Sequence, residues 1–460
     1  MLGAKLAAAR AVATLSRAVG RGATSLPGKV LIRLEPDAIA ELSRRLGRGS
    51  AVISATNGKT TTAAMVASVL NGAGIPTVHN RAGANMAGGV ASALLAALHD
   101  RSVDGDLGLF EVDEFWLDRL APQLEPRAML LGNLFRDQLD RYGELDLIAE
   151  RWATSVTALP ATALVLNADD PLVADLGRHA GRVSYFGVED ESVAIPEMQH
   201  AADSKHCRRC GAVYVYDAIY MGHLGRYRCS SCGQERPRPS VAAERIVLSG
   251  TRSSSFLLRT GAGVAEVRLP LPGLYNVYNA LGAAALCLEL GVDLKAVASG
   301  LETVTAAFGR AETVSIGSVE LQVLLVKNPA GANEILRTLA LEADELDLLA
   351  VLNDRTADGR DVSWVWDADF EVLAGRVRHV TCAGTRAAEL AVRLKYAGVP
   401  VERLAVEHEL AAALDQALAG AGPGRLFVLP TYTALLELHS LLAARGHVRR
   451  FWEPAGSTAE

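Results

Sequence analysis

Aromatic side chains make up only 5% of this 460-residue chain, and charged residues only 21%. Ala, Leu, Val and Gly fill the space instead. Small aliphatic side chains let helices pack closely on sheets, so the shortage of rings points to an α/β fold. Long apolar runs are missing too, which excludes a membrane-spanning helix. Basic charge is not in excess. The net charge of −6 offers no general attraction to nucleic acid or to an anionic bilayer. Cysteine is limited to six positions, four of them clustered. Cys287 lies in an apolar helical run and Cys382 in a predicted strand, so both read as packing residues. This is no secreted disulfide framework, and without a signal peptide the expected compartment is the reducing cytoplasm. Acids are absent from Met1 to Val30, which carries Lys5, Arg10, Arg17, Arg21 and Lys29. That stretch is expected to form an amphipathic helix packed on the first domain and closed by a turn at Leu26-Pro27-Gly28. A transit peptide and a membrane-surface helix are the alternatives.

Half of the residues are hydrophobic, enough for sizeable cores in two or three domains. The most informative stretch is Ala51 to Thr62. Ala51-Val52-Ile53 predicts a short buried strand, Asn57-Gly58 a tight turn, and Thr60–Leu70 a helix. A strand, a glycine turn and a helix N-terminus form a phosphate site, because the first helical N–H groups lack partners and the dipole favours an anion. Thr56, Asn57, Gly58, Lys59, Thr60 and Thr61 are the candidate nucleotide contacts. Lys59 can reach the β/γ-phosphates of ATP, and the Thr60 hydroxyl can ligate Mg²⁺. The general pattern G-x-x-x-x-G-K-[ST] is matched in part, since Ile53 stands where the first glycine belongs.

From about residue 50 to 170 strands and helices alternate. The predicted strands are Thr77–His79, Leu107–Val112, Ala128–Leu131 and Ala163–Leu166, and the predicted helices Ala84–Ala97 and Leu145–Val156. This predicts a parallel sheet covered on both faces, with ligands outside the carboxyl ends of its strands. Polar clusters stand at those ends: Glu111 to Glu114, Asn133 to Asp140, and Asn167 to Asp170. Glu111 is the candidate Mg²⁺ carboxylate, against the alternative of a solvated acid. His79 to Met86 mixes Asn and Gly as a substrate loop would.

Residues 205–235 interrupt the alternation. Cys207-x-x-Cys210 and Cys229-x-x-Cys232 are eighteen residues apart, the spacing of a zinc ribbon with four thiolates around one Zn²⁺. Gly211 and Gly233 supply the knuckle turns, and Tyr214, Tyr216, Tyr220 and Tyr227 are expected to fill its small core. The site reads as structural. Catalysis and, through Arg208, Arg209, Arg226 and Arg236, nucleic-acid binding are the alternatives. Strands then follow near 243–249, 254–258 and 265–269. Asn276 and Asn279, three apart and so on one helix face, lead into a helix predicted over Ala280–Leu290. A second α/β run begins near 315, with strands at 321–326, 348–352, 379–382, Val401 and 426–429. Helices are predicted at 332–341, 385–396, 409–419 and 432–444. Its loop Asn353 to Asp367 holds four acids and two tryptophans, at a strand end where such folds carry sites.

Together these motifs resemble the Mur ligases. Ala55-Thr-Asn-Gly-Lys-Thr60 is similar to their phosphate loop, and Leu271-Pro-Gly to Asn279-Ala280 to the turn before the adenine helix. Phe308-Gly309-Arg310 to Glu312 resembles their G-R-x-E, and Lys327-Asn328-Pro329 stands at their H-N-P. With the ribbon, Phe135 to Gly143 and Asp358 to Trp364, the resemblance narrows to the MurT group, the ligase-like subunits of lipid II isoglutaminyl synthases, and covers residues 1 to about 450. It implies a helical segment 1–49, a central ATP-binding domain 50–312 carrying the ribbon 205–235, and a C-terminal Rossmann-like domain 313–460. It also implies ATP-dependent amidation of the D-glutamate α-carboxyl in lipid II through an acyl phosphate. The nucleotide would meet Asn276, Asn279 and Arg310 besides the loop, with Mg²⁺ on Thr60 and Glu111 and structural Zn²⁺ on Cys207, Cys210, Cys229 and Cys232. Ammonia would come from a glutaminase partner of the GatD type in a heterodimer, whose Cys–His pair is completed by Asp361. Asp354 and Asp358 compete for that role. No nucleic acid is implied, and at most peripheral contact with the inner face of the plasma membrane. Two departures stand out. No lysine lies between Lys59 and Lys205, so the carbamylated lysine of amino-acid-adding Mur ligases has no counterpart. Leu324 occupies their ribose-binding aspartate position. The rival readings are a stand-alone Mur or folylpolyglutamate-type ligase and a nucleic-acid-associated NTPase.

Overall fold

A computed structural model describes residues 5–6, 9–13, 25–80, 84–99, 102–137, 145–200, 202–305, 310–421 and 424–449. The expectations for Arg17, Arg21, Arg81 to Gly83, Gln138 to Gly143 and Phe308-Gly309, and for the side chain of Arg310, lie outside the described residues.

The first sheet begins with six parallel strands: β1 (Ser50–Ser54), β2 (Thr77–His79), β3 (Leu107–Glu111), β4 (Ala128–Leu131), β5 (Ala163–Asn167) and β6 (Val183–Val188). A separate hairpin follows, β7 (Tyr214–Met221) and β8 (Leu224–Cys229). The chain then returns to the sheet in β9 (Val241–Ser249), parallel to β6, and continues as an antiparallel meander through β10 (Ser253–Thr260) and β11 (Gly263–Leu269). The order is β11-β10-β9-β6-β5-β4-β1-β3-β2. β1, β3, β4 and β5 are buried along their whole length, as strands covered on both faces must be.

One face is covered by α1 (Leu26–Leu34), α2 (Ala38–Ser43), α4 (Ala87–Ala96), α5 (Leu117–Leu124) and α6 (Leu145–Ala158). The other carries α3 (Lys59–Gly72), α7 (Leu274–Glu289) and α8 (Leu294–Glu302). The chain moves to one side of β1 to form β2 and β3 and to the other to form β4. The crevice of this sheet therefore opens between the carboxyl ends of β1 and β4.

Leu26-Pro27-Gly28 does not close a segment as expected; it opens α1, with Pro27 in the first turn. Proline fits there because its missing N–H has no helical partner to lose. Gly28 is needed for contact, since a Cβ would lie 2.0 Å from the Gly88 carbonyl oxygen of α4. Before it, Leu6 and Ala9 are buried in the same core layer and Lys5 pairs with Glu35 at 2.7 Å.

The second sheet holds β12 (Arg310–Ile316), β13 (Val319–Leu324), β14 (Leu346–Val351), β15 (Val377–Ala383), β16 (Leu404–Val406) and β17 (Gly424–Pro430), ordered β12-β13-β17-β14-β15-β16. All pairs are parallel except the β12–β13 hairpin. Its helices are α9 (Pro329–Ala340), α10 (Ala387–Tyr396), α11 (Leu410–Gly420) and α12 (Tyr432–Ala444). Val401 is not in a strand: Val401–Arg403 forms a 3₁₀ turn held by Arg403 N–H on the Pro400 carbonyl, and the strand starts at Leu404. Among the described residues no helix is long and apolar enough to cross a membrane.

Candidate active site

The phosphate loop leaves β1 and enters α3 at Gly58, whose φ of +86° suits glycine. A Cβ there would lie 2.0 Å from Asn279 Oδ1, so α7 can approach only a bare backbone. Among the described residues no side chain caps this helix N-terminus. Its first amides stay available to an anion while the dipole of fourteen aligned residues supports negative charge. The loop is fixed from the β4 side of the crevice. Thr56 N–H donates to the Asn133 carbonyl at 3.0 Å and Asn57 N–H to Asn133 Oδ1 at 2.9 Å. Thr56 Oγ1 accepts from Phe135 N–H at 3.1 Å.

Thr60 Oγ1 donates to Glu111 Oε1 at 2.9 Å, so the two candidate magnesium groups meet at the carboxyl ends of β1 and β3. A hydroxyl and a buried carboxylate form the hard oxygen donor set that Mg²⁺ takes. Lys59 is buried and donates to Glu114 Oε2 at 2.7 Å. Burial works to lower the Lys59 pKa, but Glu114, Asp113 and Glu111 outweigh it and hold the ammonium above its ordinary value. Burial likewise works against the Glu114 carboxylate, and the charges of Lys59 and Lys327 still bring it below the usual range. The Asp113 carboxyl moves the other way, raised by burial and then by Glu114. Of the acidic cluster 111–114, sequence reasoning singled out Glu111 and passed over Glu114, because only tertiary distance shows which acid faces the lysine.

Asn276 and Asn279 share a face of α7 as expected. Asn279 Nδ2 donates to Asn276 Oδ1 at 3.1 Å, and Thr62 Oγ1 donates to Asn279 Oδ1 at 3.3 Å. The second sheet contributes through the turn before α9. The Asn57 and Asn328 side chains donate to one another's carbonyl oxygens at 3.3 and 2.9 Å. Lys327 Nζ donates to Asp137 Oδ2 at 2.6 Å and to the Thr56 carbonyl at 3.3 Å. The residues 327–329, read from sequence only as a family marker, thus close the loop from the opposite side.

Of the residues expected to meet the nucleotide, Asn57, Gly58, Thr61 and Asn279 line a cleft of about 830 Å³, open mouth included, with Lys327 beside them; Thr56, Lys59, Thr60, Glu111 and Asn276 are not in its lining. Asn57, Gly58 and Asn279 stand at its polar end, and Phe135, Met221, Tyr275 and Ile335 form apolar walls. Leu324, at the position of a family aspartate, lies in this lining. Lys327 also borders a second cleft, shared with Arg136, Asp137, Asp358, Asp361 and Asp367. In its acidic loop the three candidate aspartates differ. Asp354 is held by Arg386 Nε at 2.8 Å, and Asp358 is buried and accepts from Thr433 N–H at 2.7 Å. Asp361 is exposed, and its Oδ1 accepts from Ser363 N–H at 2.8 Å.

The Sγ atoms of Cys207, Cys210, Cys229 and Cys232 lie within 4.8 Å of one another. Four thiols at that spacing fit tetrahedral Zn²⁺, whose Zn–S bonds of about 2.3 Å put the sulfurs just under 4 Å apart. Gly211 and Gly233 have φ of +77° and +72° at the two knuckles. Tyr214 and Tyr227 pack around Cys207 and Cys229 with Tyr216 against them. Tyr220 does not join them; it is buried in the core of the first sheet. Cys207→Ser is expected to lose the metal and several degrees of melting temperature, since site and fold are linked. Metal analysis with calorimetry checks this, and an unchanged melting temperature would show that the ribbon holds nothing together.

Residues 53–223 match the Mur ligase middle domain, and residues 325–435 the MurT ligase C-terminal domain. The MurT subunit of the glutamine-hydrolysing lipid II isoglutaminyl synthase of Streptococcus pneumoniae strain R6 is 32% identical over 437 residues, 95% of each chain. The subunit of the same name from Staphylococcus aureus strain N315 is 33% identical over 92% of this chain and 93% of its own. The chain belongs to the MurT family. Its fold is that of the Mur ligases: a pseudomurein peptide ligase type C from Methanothermus fervidus superposes with a TM-score of 0.67 at 24% identity, over 86% of this chain and 79% of its own.

Proposed function

We propose that this MurT-family chain is the ligase subunit of a lipid II isoglutaminyl synthase, converting the α-carboxyl of D-glutamate in the stem peptide to the carboxamide. The observation that carries this reading is identity of about a third, over nearly the whole chain, to subunits named for that activity. Family membership brings ATP and Mg²⁺ with it. The nucleotide is assigned to Thr56, Asn57, Gly58, Lys59, Thr60, Thr61, Glu111, Asn276, Asn279 and Arg310 within residues 50–312. Residues 313–460 are read as the C-terminal domain, which closes on the phosphate loop through Lys327 and Asn328 and carries Asp361 toward the partner.

In the first step a carboxylate oxygen of the substrate bonds to the γ-phosphorus of ATP and the bond to ADP breaks. The amides at the start of α3 and the Lys59 ammonium face the charge that builds on the phosphoryl oxygens. Magnesium, when bound by Thr60 and Glu111, supplies further neutralisation of the same oxygens. In the second step ammonia attacks the acyl carbon, phosphate leaves with the C–O electron pair, and the nitrogen sheds one proton. Ammonia needs no strong base, only shelter from competing water. The names of the relatives include glutamine hydrolysis and a subunit. We assign glutamine hydrolysis to a separate glutaminase subunit docked in a heterodimer at Asp361. The cleft bordered by both Asp361 and Lys327 supports that position. Contact with the membrane is then peripheral, through the lipid of the substrate.

Reconstitution tests the reading. The chain, its glutaminase partner, lipid II, glutamine and MgATP should give amidated lipid II by mass spectrometry. Unamidated lipid II with both glutamine and ammonium as nitrogen source would defeat it.

A further inference from the structure

The ribbon's metal knuckles and the tip of its hairpin lie at opposite ends of β7 and β8. The strands span on the order of 20 Å. Tyr214 and Cys229 pair at the knuckle end, and Met221 and Leu224 at the tip. The tip is in the nucleotide cleft. Met221 forms part of the cleft lining. Gly222 has φ of +57°, and a Cβ there would lie 2.9 Å from the Phe135 ring. His223 is fully buried, its ring centroid 4.7 Å from that of Phe135.

Residues 133–135 are therefore gripped from two sides. On one side the phosphate loop bonds Asn133 and Phe135 through Thr56 and Asn57. On the other, Asp170 accepts from Leu134 N–H at 2.9 Å, and the same Oδ2 lies 3.6 Å from His223 Nε2. The tip also reaches the second sheet. Arg337 of α9 donates to the Tyr220 carbonyl at 2.7 Å and pairs at 3.1 Å with Glu334, which lines the cleft. The hairpin touches both walls of the cleft and the segment that holds the phosphate loop.

We propose that the cysteine ribbon is a positioning element of the nucleotide cleft, so that metal occupancy and nucleotide affinity are reciprocally coupled. The proposal rests on the ATP reading of the cleft. The four thiolates fit Zn²⁺, and a bound ion would fix the hairpin root; a fixed root holds Met221, Gly222 and His223 against Phe135. Coupling between binding sites is symmetric: if the metal tightens nucleotide binding by some factor, the nucleotide tightens metal binding by the same factor. A ribbon that only stabilised its own small core would show no such exchange.

The test uses the full chain loaded with Zn²⁺. Zinc affinity is measured by equilibrium competition with a chromogenic chelator, with and without saturating MgADP, at equal free Mg²⁺. MgADP affinity is measured by calorimetry for wild type and for Gly222→Val, which places a β-branched side chain at positive φ and against Phe135. Nucleotide should tighten zinc binding, and Gly222→Val should keep its zinc while MgADP affinity falls roughly 5- to 100-fold. Equal zinc affinities in the two arms overturn the coupling. So does a zinc-loaded Gly222→Val chain that binds MgADP as wild type does. A wild-type chain that binds no MgADP overturns the ATP reading as well, which sets that failure apart from the other two.

Discussion

Asp361→Asn is expected to lower glutamine-dependent amidation by about 10⁴-fold while amidation from free ammonium stays near wild type. The magnitude is that of removing the carboxylate that orients a catalytic imidazole and stabilises its charged form. Asp361 suits the role by position. It is the exposed acid of its loop, whereas Asp354 is engaged by Arg386 and Asp358 is buried against Thr433. Its hydrogen bonds from Ser363 hold the carboxyl below the usual carboxylate range. It is therefore ionised wherever an imidazole titrates, and the acid limb of the rate profile should belong to the partner's histidine. Coupled assays of glutamine hydrolysis and lipid II amidation check this. Loss of both nitrogen sources together would mean that the loop shapes the ligase site. Full loss in Asp358→Asn, with Asp361→Asn active, would move the role.

Lys59→Met is expected to abolish ATP-dependent turnover, by roughly 10³-fold or more for a cation aimed at a transferring phosphoryl group. The variant also leaves Glu114 buried without its cation, which costs about 3–5 kcal/mol and roughly 10 °C of melting temperature. Adding Glu114→Gln removes the stranded charge. The double variant should regain most of the stability and none of the activity. Recovery of turnover in the double variant would reduce Lys59 to a structural partner of Glu114.

The same pair sets a pH window. Glu114 is depressed below 4.5 in the folded chain, so its contribution is complete above 4.5 and is lost as acid protonates it. Lys59 is raised above 10.5, so its contribution is complete below 10.5 and is lost as alkali removes the proton. Acid unfolding should be less steep in the double variant than in wild type.

Much of the fold was legible because local patterns report local physics. Apolar runs ending in polar clusters located β1, β3, β4 and β5, and Tyr432–Ala444 matches its helix residue for residue. β6 and β12 were not read, since Val183–Val188 and Arg310–Ile316 are mixed in polarity and owe their pairing to neighbours distant in sequence. Tyr220 was assigned to the ribbon by proximity in sequence, but the outer half of the hairpin lies on the first sheet and buries it there.

By itself the sequence determined the strand-turn-helix at Ser50–Gly72, the four-cysteine cluster and the asparagine face of α7. Each depends on spacing within one element or one short loop, which the backbone period sets directly. Only the tertiary structure decided which acid holds Lys59, that Asn328 closes on Asn57 across 271 positions, and that the ribbon hairpin ends in the cleft beside the Asn57-Gly58 turn. Those contacts join segments whose separation along the chain carries no periodic signal, and they exist because separately packed cores are brought together across hydrogen bonds such as Asn57 with Asn328 and Arg337 with the Tyr220 carbonyl.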